Sequence, residues 1–176
     1  MIRYTTLRRL SLAERETLGE YGYASLERYR ISREEEADAI VFRLQRERLE
    51  TPYRKVYEYD EETDWRIALG YSIGAFEEDR LLGFLIAEPQ MWNRTLHLMD
   101  LHVALPHRQR GIGRGLLEEM GVLARGRGFR ALAAETQNTN GPAMAFYRAC
   151  GFALDGLDLT LYDGLDETAL FMKKHL

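Results

Sequence analysis

The stretch Arg108-Gln-Arg-Gly-Ile-Gly-Arg-Gly has the residue types and spacing to hold an anion. It follows an apolar run at residues 96–103 that reads as a strand, and it opens an amphipathic helix over residues 111–125. Glycines at 111, 113 and 115 remove Cβ atoms where the backbone must turn sharply from strand to helix. Such a turn converges several N–H groups on one point, and a helix N-terminus adds roughly half a positive charge there. Arg108, Arg110 and Arg114 place full charges around the same point. A phosphate is the ligand this chemistry suits. A dinucleotide fingerprint would need its third glycine at position 116, which is Leu116. A nucleotide P-loop would need Gly-Lys-Ser/Thr after four spacers, and the stretch does not supply it. What remains is Arg108-x-x-Gly111-x-Gly113.

Further on, residues 140–152 read Asn-Gly-Pro-Ala-Met-Ala-Phe-Tyr-Arg-Ala-Cys-Gly-Phe. Pro142 suits a first helical turn and Gly151 a helix stop. Ala143, Phe146, Tyr147 and Cys150 recur at i, i+3, i+4 and i+7, which predicts one buried face. Together the two segments resemble the GNAT superfamily of acetyl-CoA-dependent N-acyltransferases. The first matches its R/Q-x-x-G-x-G/A loop and the second its N-x-x-A-x-x-[FL]-Y-x-x-x-G-F signature. Within that superfamily, Glu135-Thr-Gln-Asn138, the Cys150-Gly-Phe helix end, Gly156-Leu-Asp158, Leu161-Tyr162 and Ala169-Leu-Phe171 resemble the streptothricin acetyltransferases.

The resemblance implies an α/β chain with a mixed α+β sheet, the GNAT acyl-CoA N-acyltransferase fold, in the order β-α-α-β-β-β-α-β-α-β-β. It implies acetyl-CoA as donor, its pyrophosphate on Arg108, Gln109, Arg110, Gly111, Ile112, Gly113 and Arg114. The pantetheine arm would run beside Leu101, His102 and Val103, with further contacts at Asn140 and Ala143. A splay or bulge in the strand holding Asp100 would free N–H groups for the thioester oxygen. Tyr147 falls at the tyrosine whose hydroxyl faces the sulfur and can protonate the leaving thiolate. Many relatives carry Glu-Asp where this chain has Met99-Asp100, so Asp100 and Glu135 are the acidic candidates for the base. Tyr23 and Trp65, among upstream aromatics, and Asp158 and Tyr162 are candidates to line the acceptor groove. Tyrosines beside carboxylates suit a cationic amine.

Composition bounds these readings. A chain of 176 residues fits one α/β domain, here the whole of 1–176. The net charge of −4 argues against nucleic-acid binding, and no apolar run is long enough to span a membrane. The single cysteine, Cys150, excludes an internal disulfide and reads as a core thiol, and the chain is expected to be cytoplasmic. His97, Asp100 and His102 share one strand, but strict alternation sends 97 and 102 to opposite faces, so no metal site is expected. Residues 1–95 carry 15 basic and 19 acidic side chains against 9 of each in 96–176, so the first half holds the whole negative excess. The run Glu58, Asp60, Glu61, Glu62, Asp64 reads as a solvated loop.

The positioning elements are expected as follows. Residues 2–10 form a strand, and Ser11/Glu14 and Ser32/Glu35 are capping boxes that each start a helix. Ala37, Ile40, Val41 and Leu44 form the stripe of the second. Strands follow at 67–76 and 81–87 around a turn at 77–80, then at 96–103 beyond Asn93-Arg94. A strand at 131–136, a helix at 142–150 and closing strands at 157–162 and 168–173 complete the order. Three functions fit: acetylation of a small cationic amine such as a streptothricin-like antibiotic, acetylation of peptide N-termini, and non-catalytic acyl-CoA sensing. The resemblance adds a homodimer as an expected assembly.

Overall fold

Strand β1 (Ile2–Thr6) leads into helix α1 (Leu12–Leu18), whose start is the expected capping box. The Ser11 hydroxyl accepts the Glu14 N–H, and Glu14 accepts the Ser11 N–H at 2.8 Å. These are the first elements of a computed structural model that describes residues 1–59 and 61–176. Asp60, part of the acidic run, lies outside the described residues.

The helix expected at Ser32 is instead a long ribbon of β2 (Gly22–Glu35) and β3 (Ile40–Val56). Its tip is closed by the Glu36 N–H on the Ala39 carbonyl at 2.8 Å. Ile40, Val41 and Phe42 favour extended backbone over helix. The charges that look like helix decoration pair across the ribbon: Arg28 with Glu47, Arg46 with Glu27, and Arg43 with Glu34. Glu35 takes Arg33 at 2.6 Å rather than capping Ser32. Cross-strand pairs of this kind stabilise only where the backbone sets them opposite each other.

Helix α2 (Glu61–Ala68) follows, so Ile67 is a buried helical residue and not the start of a strand. Strands β4 (Ile73–Glu77), β5 (Arg80–Gln90) and β6 (Thr95–Val103) precede helix α3 (Ile112–Gly126). Then come β7 (Ala131–Gln137), α4 (Gly141–Ala149), β8 (Ala153–Asp158) and β9 (Ala169–His175). The expected order holds once the ribbon between α1 and α2 is set aside. Strand β8 lies earlier than expected and ends at Asp158, whose carboxylate accepts the Thr160 N–H and hydroxyl and turns the chain there.

The chain divides into two compact units. The first comprises Met1–Tyr21, Val56–Ala134 and Lys173–Leu176. In it β1, β4, β5 and β6 pair antiparallel in that order, and β6 pairs parallel with β7 from Thr95↔Ala131 to Leu98↔Ala134. Phe84, Ile86, Leu7, Leu10, Leu18 and Ile67 cluster in its core. Each such side chain contributes roughly 2 kcal/mol by leaving water. Helix α3 buries Ile112, Leu116, Leu117, Met120, Gly121 and Ala124. Gly115 lies against the Tyr4 ring, where a Cβ would collide with the phenol. This glycine therefore serves helix-to-sheet packing and not the bend before the helix.

Strand β6 carries a bulge. Ile86 faces Asp100, but Ala87 faces Leu98, so Met99 is an extra residue. Leu96, Leu98, Leu101 and Val103 consequently share one face, and His97, Asp100 and His102 share the other. Strict alternation, which would separate 97 from 102, fails at this residue. Among the described residues no group of three His, Cys, Asp or Glu side chains is placed to hold a metal.

The second unit comprises Gly22–Lys55 and Glu135–Met172. Strands β7, β9 and β8 are neighbours in that order, and the ribbon is tied to the turn before α4. Tyr29 donates its N–H to the Asn138 carbonyl at 2.7 Å, and Asn138 Nδ2 donates to the Tyr29 carbonyl at 2.9 Å. A Cβ on Gly141 would lie 2.9 Å from the Glu27 carbonyl oxygen, so α4 starts in close contact with β2. Helix α4 buries Gly141, Met144 and Tyr147, with Cys150 behind them; Ala143 and Phe146 are only half-buried.

Candidate active site

In the first unit the bend after β6 has the form the spacing predicts. Gln109 and Gly111 adopt left-handed backbone, φ 64° and 81°. Gly111 is the N-cap of α3 and supplies no side-chain cap, and the first turn holds no acidic residue. Among the described residues no side chain caps the start of α3, so the Ile112 and Gly113 N–H groups are placed as an anion site requires. The arginines are less free than expected. Arg108 Nε donates to the Val103 carbonyl at 2.9 Å, bracing the bend. Arg110 reaches Glu77 at 3.2 Å and His107 Nδ1 at 2.8 Å. The residues present fit a diphosphate held by main-chain donors, with arginines around it.

Asp100 lies on the polar face of β6 among rings. Tyr21 donates its hydroxyl to Asp100 Oδ1. The Tyr21 ring stacks on Tyr59 at 4.9 Å and meets the His102 ring edge-on at 5.3 Å. Burial pushes the Asp100 carboxyl up to about 6. Burial also pushes His102 down to about 4, opposed by a bond to the Leu18 carbonyl and helped by Arg108. His102 is therefore a neutral wedge under the end of α1. A carboxylate that titrates near 6 can take a proton and release it at neutral pH. Beyond Leu98↔Ala134 the strand continues as Met99 to Val103, which contains Leu101, His102 and Val103, the residues expected beside the pantetheine arm. Trp65 stands on α2 and is exposed.

In the second unit Glu135 and Tyr162 come together. Tyr162 donates its hydroxyl to Glu135 Oε1 at 2.6 Å and accepts from Gln137 Nε2 at 3.0 Å. The Lys55 ammonium lies 5.2 Å from the centre of the Tyr162 ring. Lys55 also pairs with Glu167, whose carboxylate accepts from Thr139 at 2.7 Å and Tyr53 at 3.1 Å. Tyr23 shares Thr139 at 2.7 Å. Burial pushes the Glu167 carboxyl up, but Lys55 and Thr139 outweigh it and hold the carboxyl below its ordinary range. Asp158 serves its own turn, with the Thr160 N–H and hydroxyl holding its carboxyl low. Asn140 Oδ1 accepts the Ala143 N–H at 3.1 Å and so caps α4. Tyr147 packs between Phe146 and Phe152, with ring centres at 5.6 and 5.2 Å.

Sequence reasoning missed Lys55, Thr139 and Glu167, and gave Tyr21 no role of its own among the upstream aromatics. Nothing in their spacing marks them, since residues from opposite ends of the chain meet.

The pattern of the acetyltransferase (GNAT) family matches residues 38–152, and the chain belongs to that family. The chain is 43% identical over 95 residues to a streptothricin acetyltransferase of Streptomyces lavendulae. That stretch is 52% of this chain and about half the length of the relative. Among solved structures, a nourseothricin acetyltransferase superposes with TM-score 0.78 at 32% identity, over 99% of this chain and 98% of that one. A Bacillus anthracis protein solved in complex with acetyl coenzyme A shares the fold, with TM-score 0.74 and 22% identity over 100% and 98% of the two chains. Among the described residues no helix is long and apolar enough to cross a membrane.

Proposed function

We propose that the chain is an acetyl-CoA-dependent N-acetyltransferase whose acceptor is a primary amine on a small cationic molecule of the streptothricin kind, and that residues 1–176 act as one catalytic domain. The observation that carries this reading is the uncapped, doubly left-handed bend at Gln109 and Gly111, directly downstream of a strand that presents Asp100. The relatives support the antibiotic-like acceptor by their names, and the B. anthracis structure supports the donor.

When bound, acetyl-CoA supplies the acetyl group as a thioester. Main-chain N–H groups of residues 109–114 hold its diphosphate, with Arg110 and Arg114 beside them. Leu101, His102 and Val103 line its arm, and Asn140 and Ala143 meet it at the start of α4. Main-chain N–H groups of β6 past the bulge donate to the carbonyl oxygen as negative charge builds there; oriented donors of this kind each lower a barrier by about 3 kcal/mol. Asp100 accepts the proton that the attacking amine loses as the new C–N bond forms. Tyr147 gives its hydroxyl proton to the sulfur as the C–S bond breaks. In the second unit, Glu135 and Tyr162, with Tyr23 beside Thr139, receive the cationic acceptor. The protein works in the cytoplasm, where a lone buried thiol stays reduced, and it assembles as a homodimer.

The deciding assay is thiol release from acetyl-CoA across streptothricin, polyamines and peptides with free N-termini. Turnover confined to the antibiotic-like amines supports the reading. Turnover on peptides alone, or coenzyme binding without any acceptor-dependent release, overturns it.

A further inference from the structure

We propose that Tyr21 is a positioning residue for acyl transfer, whose hydroxyl fixes the orientation of the Asp100 carboxylate and favours its ionised form. The proposal rests on the reading of Asp100 as the base. Its ground is geometric. Tyr21 sits in the short link between α1 and the ribbon, and its hydroxyl is the donor on Asp100 Oδ1.

Four contacts, from Tyr57, Tyr59 and His102, hold that residue in place. The Tyr57 N–H donates to the Tyr21 carbonyl at 2.8 Å, joining the two chain ends where the ribbon departs and returns. The Tyr59 ring lies nearly parallel to Tyr21, at 14°, and Tyr57 tilts against it at 5.3 Å. His102 meets it edge-on at 87°, itself hydrogen-bonded to the last carbonyl of α1 at 3.4 Å. A phenol fenced on three sides loses little further freedom in holding a carboxylate.

The surrounding charges do not substitute for it. On β6 the same face carries His97 and His102, the second neutral, and on β5 it carries Glu88 opposite His97. Arg15 covers the Tyr59 ring at 4.8 Å and is directed to Asp64, while Arg108 is bound to the Val103 carbonyl. The Tyr59 hydroxyl is buried with no hydrogen-bond partner among the described residues, so it donates nothing to Asp100. Tyr21 is the donor that offsets the burial of the charge, since a hydrogen bond to the ionised form favours that form.

The test is direct titration of the Asp100 carboxyl by carbon NMR, with the pH profile of kcat/KM measured on the same proteins. Tyr21→Phe keeps the ring and removes the donor. The Asp100 titration should move up by about one pH unit, and kcat/KM at pH 6 should fall roughly tenfold relative to its value at pH 8. A fluorotyrosine at position 21, a stronger donor, should move the titration the other way. An Asp100 titration unchanged in both variants overturns the proposal. A titration that moves while the pH profile stays still keeps the Tyr21–Asp100 hydrogen bond but removes Asp100 as the base, and with it the role of Tyr21 in acyl transfer.

Discussion

Lys55 sets its ammonium on Glu167 in an ion pair whose carboxylate is 1% exposed and whose lysine is 19% exposed. Both partners are tied further, Glu167 by Thr139 and Tyr53, Lys55 by the Tyr162 ring. A buried pair of this kind adds little over a well-packed apolar pair, but removing one member leaves a stranded charge. Lys55→Met should therefore lower stability at pH 7 by about 3 kcal/mol, and Lys55→Met with Glu167→Leu should recover part of it. The Glu167 carboxyl is held low in the folded state, so its contribution is present above the usual glutamate range and fades as pH falls through the lower folded value. Urea unfolding at pH 7 and pH 4 reads both effects. Equal midpoints for wild type and Lys55→Met at pH 7 would contradict the account.

Asp100 and His102 pull stability in opposite directions over the same acid range. Asp100 is raised from 3.8 to about 6, so the folded state binds the extra proton and stability falls as pH climbs through that window. His102 is lowered from 6.5 to about 4, so the unfolded state binds the extra proton and stability falls as pH drops through its own window. The wild-type protein should show a shallow dependence between about pH 4 and 6 from this pair. Asp100→Asn should expose the histidine slope, His102→Gln the opposite one. At pH 7.5 Asp100→Asn should also be the more stable protein, by on the order of 1 kcal/mol, while losing most of its turnover. Parallel pH–stability curves for wild type and Asp100→Asn would refute the assignment.

Two glycines at the start of α3 should fail in different ways. Gly111 has open space around it, so Gly111→Ala meets only the left-handed backbone, a strain of about 1 kcal/mol. A bend that relaxes away from this conformation must be driven back on binding, which should weaken coenzyme A about fivefold by calorimetry with little change in folding. Gly115→Ala instead meets the Tyr4 ring and should destabilise by about 2 kcal/mol, with Tyr4→Ala relieving it in a double-mutant cycle. Additive losses in that cycle would rule out the contact.

Tyr147→Phe should leave the fold in place, because the ring contacts to Phe146 and Phe152 survive. Turnover at saturating acetyl-CoA should drop tenfold or more, as loss of a general acid does. An unchanged rate would assign this tyrosine to packing alone.

Much of this was legible in the chain. Ser11 and Glu14 fixed the start of α1 through local hydrogen bonds, and Arg108 to Gly113 announced the bend because its chemistry is local too. The ribbon was not legible. Ser32 and Glu35 copy a capping box, and Ala37, Ile40, Val41 and Leu44 copy a helical stripe. What local spacing does not report there is the pairing of β2 with β3, which sets Arg28, Arg43 and Arg46 beside carboxylates 9 to 19 residues away. The same limit hid Lys55 and Glu167, which meet across 112 residues of chain. Local spacing carries turns and caps; it does not carry encounters.

The extra residue in β6 governs how this strand can change. Leu96, Leu98, Leu101 and Val103 sit together only because Met99 shifts the count by one. Deleting it would turn one half of the strand over, putting leucines among the tyrosines or Asp100 into the hydrocarbon side. Substitutions at Met99, which is 39% exposed, should pass easily. The strand tolerates respelling but not a change of length.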